Sequence, residues 1–206
     1  MPGGAETIEF FFDFGSPNAF LAHRAIPAIE ARIGARFSYQ PMLLGGVFKA
    51  TGNRSPGEAF AEVPAKLAFM ALETRRFIAR HGITDYRPNP FFPVNTLSLM
   101  RGALAARRVA CFEPYVEAVF RGMWSEGRKM DDPEVFRSRL QQAGLDAERL
   151  IELSGTAEVK QELIAATDGA VARGVFGAPS FFVGEEMFFG KDRLERVEAA
   201  IGGGAP

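Results

Sequence analysis

The chain opens on an apolar run. From Thr7 to Asp13 it is rich in Ile and Phe and has the length and aromatic content of a buried strand. The run stops at Gly15-Ser16, and Pro17 follows. Proline suits the first position of a helix, because its φ is already helical and its missing N–H would have had no partner there, so Ser16 is the expected N-cap. Phe20, Leu21, Ile26, Ile29 and Ile33 then recur at helical spacing, predicting a helix to about Ile33, kinked at Pro27 and stopped by Gly34. Arg36 to Met42 alternates through Phe37, Tyr39 and Pro41 and predicts a second strand. Strand, helix and strand in this order predict two parallel strands joined by a right-handed crossover.

The next stretch breaks the pattern. Leu43 to Asn53 holds Gly45, Gly46 and Gly52, too many glycines for a stable element, and Arg54 to Gly57 adds a polar turn, so the whole reads as a loop carrying Lys49 and Asn53. From Pro64 the period turns helical. Leu67, Met70, Phe77 and Ile78 mark a helix ending near Gly82, and Asn95 is the expected cap of a second with Leu97, Met100 and Leu104. Phe112, Tyr115, Val116, Val119, Phe120 and Met123 make a third. Asp132-Pro133, Asp146 and Thr156 start three more, the last running to about Gly174. Strand signals return at Ser180 to Val183 and Glu186 to Phe189 around a Gly184-Glu185 turn, before a final helix from Lys191 with Leu194, Val197 and Ile201. The expected architecture is an α/β sheet, at 1–45 and 175–206, interrupted by an all-helical insertion at 46–174.

Composition narrows the function. With 24 Lys and Arg against 25 Asp and Glu, the chain has no basic footprint for nucleic acid or a membrane surface. Its 206 residues, 47% hydrophobic, suffice for a full core. No stretch approaches a membrane span, and Met1 to Glu6 lacks the basic start and apolar centre of a leader, so a cytoplasmic protein is expected, with Gly202 to Gly204 a frayed end. A single cysteine, Cys111, excludes an internal disulfide and a C-x-x-C pair, and its place before an apolar helix predicts a buried structural thiol. Two histidines are too few and too far apart to build a metal site. Twenty phenylalanines are many, and Phe91, Phe92, Phe188 and Phe189 fall at loop-like positions where they could line an apolar pocket, although core packing is the commoner fate of a phenylalanine.

The candidate chemistry sits at Ser16. A hydroxyl at a helix start stands among unpaired amides at the positive end of the helix dipole, which makes an anion site, and a thiolate is one anion it can hold. Capping alone is the simpler role. A covalent serine nucleophile would need a base, and His23 is two helical turns along, roughly 10 Å away. His81 falls at a helix end, where capping carbonyls is its expected role, and no Gly-x-Ser-x-Gly surrounds Ser16.

Three segments carry a resemblance: Phe12-Asp13-Phe14-Gly15-Ser16-Pro17, the Gly45 to Asn53 stretch, and Phe189-Gly190-Lys191-Asp192-Arg193-Leu194. With Gly177-Ala178-Pro179-Ser180-Phe181 opening the hairpin, the chain resembles the thioredoxin fold in its disulfide-oxidoreductase-A and kappa-class glutathione transferase form, and within it the 2-hydroxychromene-2-carboxylate isomerases, glutathione-dependent enzymes of aromatic degradation. The resemblance covers nearly all of the chain from Thr7 to Ile201. It implies a thioredoxin-like fold with a large all-helical insertion, glutathione as cofactor, an aromatic acid as substrate and a homodimer. Ser16 stands where the family holds the glutathione sulfur, and where redox relatives carry the first cysteine of C-x-x-C. Ala178 and Pro179 match its cis-proline loop, whose backbone pairs with glutathione as a strand would. Phe189, Gly190, Lys191 and Asp192 match the segment that meets the γ-glutamyl group. Lys49, Asn53 and Arg54 match loop positions near the sulfur and the second substrate, and Asn95 a helix cap facing the same cleft. Asn18 and Ala19 depart from the aromatic or hydroxyl residues often found after the Ser-Pro.

The energetics are sufficient without a base. Lowering a thiol pKa from about 8.5 by about two units takes about 2.7 kcal/mol. A charge-assisted hydrogen bond from Ser16 contributes ~1.5–3 kcal/mol and a helix terminus ~0.3–1 kcal/mol. The same thiolate serves an isomerase, which regenerates glutathione, or a transferase or peroxidase, which consumes it; a non-catalytic glutathione-binding domain is the third reading.

Overall fold

The computed structural model describes residues 7–201. The strand β1 (Thr7–Phe12) lies between two partners: β2 (Arg36–Pro41) runs parallel to it, with Phe10 opposite Tyr39, and β3 (Ser180–Val183) runs antiparallel, with Phe10 opposite Phe181. β4 (Glu186–Phe189) folds back on β3, giving the order β2-β1-β3-β4. Both faces of β1 are covered, which is why it reads as an unbroken apolar run. Ile8, Phe10 and Phe12 enter the main core, and Phe11 enters a smaller one with Met42, Val47, Ala170, Val175 and Phe182.

The crossover is α1 (Pro17–Ile33), which runs on through Pro27 and ends at Gly34, whose N–H reaches Glu30. After β2 come α2 (Leu44–Thr51), the single turn α3 (Pro56–Ala59), α4 (Pro64–His81), α5 (Leu97–Arg108), α6 (Phe112–Trp124), α7 (Pro133–Gln142), α8 (Ala147–Ser154) and α9 (Ala157–Ala172). Three expected caps do their work: Asp132 accepts from Glu134 and Val135, Asp146 from Arg149, and Thr156 from Val159. Phe14, Tyr115 and Phe120 lie wholly inside the core, where Phe14 and Phe120 meet edge to face at 4.8 Å.

The glycine-rich stretch after β2 is where the structure departs most from the sequence reading. It is not a loop but the helix α2, made stable by its surroundings rather than by propensity. Its first amide, Leu44 N–H, is taken by the Asp13 carboxylate at 2.7 Å, and the preceding Leu43 N–H by Thr167 Oγ1 of α9 at 3.0 Å. Gly46 is what lets the two helices approach, since a Cβ there would stand 3.0 Å from Thr167 Cγ2. The polar turn beyond it contains α3, which Ser55 and Glu58 close with a reciprocal capping box.

Smaller corrections follow. Thr96, not Asn95, flanks α5, although the Asn95 side chain still accepts the Leu97 N–H at 3.0 Å from one residue further out. A 3-10 turn, Lys191–Arg193, precedes the last helix, α10 (Leu194–Ile201). Cys111 is only half-buried, just before α6; burial and the neighbouring Glu113 both push its thiol pKa up. His81 closes α4 with its ring 4.2 Å from that of Phe77. The four loop-like phenylalanines divide: Phe188 is buried in β4, Phe189 is partly exposed against Phe176, and Phe92 rests on Trp124 beside the half-exposed Phe91. Met1 to Glu6 and the Gly202 to Gly204 tail lie outside the described residues.

Candidate active site

The loop between β1 and α1 is held from every side. Phe14 gives its N–H to Met100 Sδ at 3.5 Å and receives Trp124 Nε1–H on its carbonyl at 2.7 Å. The Ser16 N–H bonds back to the Asp13 carbonyl at 3.0 Å, a tight turn that presents Ser16 as the cap of α1. Its Oγ accepts from Ala19 N–H at 3.1 Å and gives its own proton to the carbonyl of Ala178 at 2.9 Å. No acidic residue lies in the first turn of α1, so the helix dipole there is not opposed by its own side chains. Ser16 is 4% exposed, whereas Gly15, Pro17 and Asn18 beside it and Ala178 opposite are partly open, which puts the hydroxyl just beneath the surface.

Facing Ser16 is the segment that leads into β3. The Ala178–Pro179 peptide is cis. Ser180 Oγ–H bonds to the Gly177 carbonyl at 2.8 Å and Gly190 N–H to the Pro179 carbonyl at 2.9 Å, fixing the loop from both sides. The Ala178 N–H finds no acceptor among the described residues, so the segment keeps a free donor beside its bound carbonyl. Gly177 lies flush against the ring of Phe189: a Cβ would sit 2.8 Å from Phe189 Cε2. Phe176 and Phe189 meet at 4.4 Å, an aromatic pair partly open to solvent.

Of the other candidate residues, Asn53 is tied directly to the second of these segments. Asn53, just past α2, donates from Nδ2 to the Phe176 carbonyl at 2.8 Å and accepts the Arg54 N–H at 2.9 Å, so it ties α2 to the loop that carries Ala178. Lys49 and Arg54 are exposed and enter no ion pair among the described residues. Asn95 is exposed next to Thr96, and its N–H reaches Asp131 at 3.3 Å. Lys191 differs from the rest in facing inward. Its side chain is 4% exposed, with Nζ 2.5 Å from Asp192 Oδ1 and 4.8 Å from the centre of the Phe77 ring. The Asp192 carboxylate remains half-exposed beside it.

Asp13 went unnoticed as a functional residue in the sequence, where it merely ends an apolar run. It is fully buried, with Oδ1 accepting from Gly15 N–H at 2.7 Å and Oδ2 from Leu44 N–H at 2.7 Å and Thr96 Oγ1–H at 3.1 Å. Burial pushes its pKa up, and the three hydrogen bonds pull the other way. A signal was available: a lone carboxylate between phenylalanines is costly unless paired or hydrogen-bonded. Phe176 and Trp124 went unnoticed as well, their carbonyl and indole contacts being unreadable from spacing.

His23 takes no part in this cluster. Its Nδ1 meets Tyr39 OH at 2.7 Å and its Nε2 meets Glu117 at 3.0 Å, while Arg24 bridges Glu117 and Asp85. The hydrogen bond from His23, followed by the Arg24 charge, holds the Glu117 carboxyl down at about 2 against its burial.

A mixed sheet whose central strand runs into a capped helix start, with a cis-proline segment opposite the cap, is a thioredoxin-type arrangement with a serine at the head of its first helix and a helical insertion. The chain belongs to the DSBA-like thioredoxin domain family, which matches residues 7–202. It is similar to a 2-hydroxychromene-2-carboxylate isomerase of Sphingobium xenophagum, 32% identical over 196 residues and covering 95% of this chain and 98% of that protein. Glutathione S-transferase kappa 1 of Homo sapiens is 27% identical over 214 residues, covering 95% of this chain and 91% of that one. A solved structure of 2-hydroxychromene-2-carboxylate isomerase matches with a TM-score of 0.80 and 28% identity, over 95% of this chain and 94% of that one. The relatives are named as an isomerase and a transferase, which supports an enzyme of one of these two kinds. No helix among the described residues is long and apolar enough to cross a membrane.

Proposed function

We propose that the protein is a glutathione-dependent cis-trans isomerase acting on 2-hydroxychromene-2-carboxylate or a similar aromatic acid. The observation that carries this is the Ser16 hydroxyl at the start of α1, facing a cis-proline segment with an unpaired Ala178 N–H. A donor and an acceptor on one residue suit the backbone of a peptide-like cofactor, and the half-exposed Asp192 carboxylate suits its ammonium. Ser16, Ala178 and Asp192 would hold glutathione, which would supply a thiolate nucleophile for reversible covalent catalysis on the conjugated acid.

The chain's own residues do the rest. Ser16 turns its proton from the Ala178 carbonyl to the sulfur, and with the helix terminus contributes about 2–4 kcal/mol, enough to keep the thiol ionised near neutrality. Lys49 holds the substrate carboxylate, and the partly open rings of Phe176 and Phe189 form an apolar wall for its aromatic part. Asn53 keeps α2, and therefore Lys49, against the cis-proline segment. A cytoplasmic homodimer belongs to the same proposal.

The test is calorimetric titration with glutathione, followed by turnover of the chromene acid with free thiol monitored. Saturable binding and turnover with thiol conserved are expected. The likeness to the human kappa transferase favours a second reading, in which thiol is lost in step with the electrophile. No uptake of glutathione at millimolar concentration would refute both.

A further inference from the structure

The buried carboxylate of Asp13 meets only donors, and they come from three segments. Gly15 belongs to the turn into α1, Leu44 is the first residue of α2, and Thr96 immediately precedes α5. The candidate residues ride on the same three: Ser16 caps α1, Lys49 lies on α2 with Asn53 just beyond it, and Asn95 precedes Thr96.

We propose that Asp13 is the positioning residue of the site, whose two oxygens set the Ser16 hydroxyl in register with the elements that hold the organic acid. The functional half of this inference rests on the glutathione reading above; the three-way junction stands on geometry alone. A carboxylate is the group the junction requires, because three donors converge and only an acceptor-only group with two oxygens serves them all. Space is short as well. A Cβ on Gly15 would stand 3.2 Å from Thr96 Cγ2, so the turn and the start of α5 are already in contact.

Asparagine has nearly the same volume but one acceptor oxygen. The bond to Gly15 closes a local turn two residues on, which the amide oxygen keeps, so the amide nitrogen confronts the Leu44 N–H, donor against donor, while the Thr96 hydroxyl can rotate to accept from it. The damage in Asp13→Asn therefore falls on α2, away from the sulfur side. A role confined to folding would show no such asymmetry.

The experiment compares Asp13→Asn, Thr96→Val and Thr96→Ser with Val197→Ala, a control in the buried face of α10. Backbone hydrogen exchange reads the junction without any ligand: Asp13→Asn is expected to speed exchange at Leu44 to Val47 while Ala19 and Phe20 stay protected. In turnover, the KM for the chromene acid is expected to rise about tenfold or more with the glutathione Kd changed less than about threefold. Thr96→Val should shift KM in the same direction, and Thr96→Ser should restore most of it. Val197→Ala should lower the melting temperature with KM unmoved. The inference is overturned if exchange rises equally in α1 and α2, or if KM and Kd move together as in the control. Should Asp13→Asn not fold, Thr96→Val decides on the same criteria. An unaltered protein that neither binds glutathione nor turns over the acid, while exchange in Asp13→Asn stays confined to α2, sinks the functional reading and keeps the junction.

Discussion

The hydroxyl of Ser16 donates to the carbonyl of Ala178 at 2.9 Å, joining the cap of the first helix to the residue before the cis-proline, 162 positions later in the chain. A hydroxyl has one proton, so it bonds either this carbonyl or an arriving anion. Ser16→Ala removes the choice. The thiol pKa of bound glutathione is expected to rise by about one to two units, the equivalent of a lost charge-assisted hydrogen bond, and turnover at neutral pH to fall about 10- to 100-fold. Thiolate absorbance against pH measures the first; an unchanged pKa would remove Ser16 from the mechanism.

Trp124 reports on the same loop. It is the single tryptophan of the chain and its Nε1–H holds the Phe14 carbonyl at 2.7 Å. Trp124→Phe leaves that buried carbonyl unpaired and is expected to cost ~1–3 kcal/mol in urea denaturation. In the unaltered protein, glutathione is expected to change the intrinsic fluorescence with the saturation curve seen by calorimetry.

Asn53 acts through its neighbours. Without its bond to the Phe176 carbonyl, the end of α2 is no longer tied to the cis-proline loop. Asn53→Ala is expected to lower kcat/KM about tenfold with little loss of melting temperature. Activity equal to that of the parent would show that α2 needs no such tie.

Glu117 contributes to acid stability. Its folded pKa of about 2 lies below the ordinary 4.5, so the stability from its contacts with His23 and Arg24 is fully present above about pH 4.5 and is lost as the pH falls toward 2. Melting temperatures of Glu117→Gln and the parent, followed down that range, are expected to converge as the pH drops. A constant gap would assign the acid response to other groups.

Local rules explain what could be read from residues alone. The order of strands and helices, the caps at Ser16, Asp132, Asp146 and Thr156, and the stops at Gly34 and Gly82 depend on groups within a few positions of one another. The motifs around Ser16, Ala178-Pro179 and Gly190 were legible for the same reason, each being short and contiguous. The helix α2 was not, because Gly45 and Gly46 argue against it locally and what stabilises it comes from Asp13 and Thr167, far away in sequence. The inward turn of Lys191 was not legible for a similar reason: only the tertiary fold brings Phe77 of α4 over it.

By itself the sequence determined the thioredoxin-type order of elements, the serine at the head of α1 and the absence of a cysteine pair, since periodicity, capping and composition are legible without the fold. Only the tertiary structure decided that Ser16 spends its proton on Ala178, that Asn53 grips Phe176, and that Asp13 gathers the starts of three helices. Such bonds close between segments that meet only when the sheet is complete. A buried carboxylate or a glycine-rich helix, each unfavourable alone, becomes favourable there because its hydrogen bonds replace those lost to water.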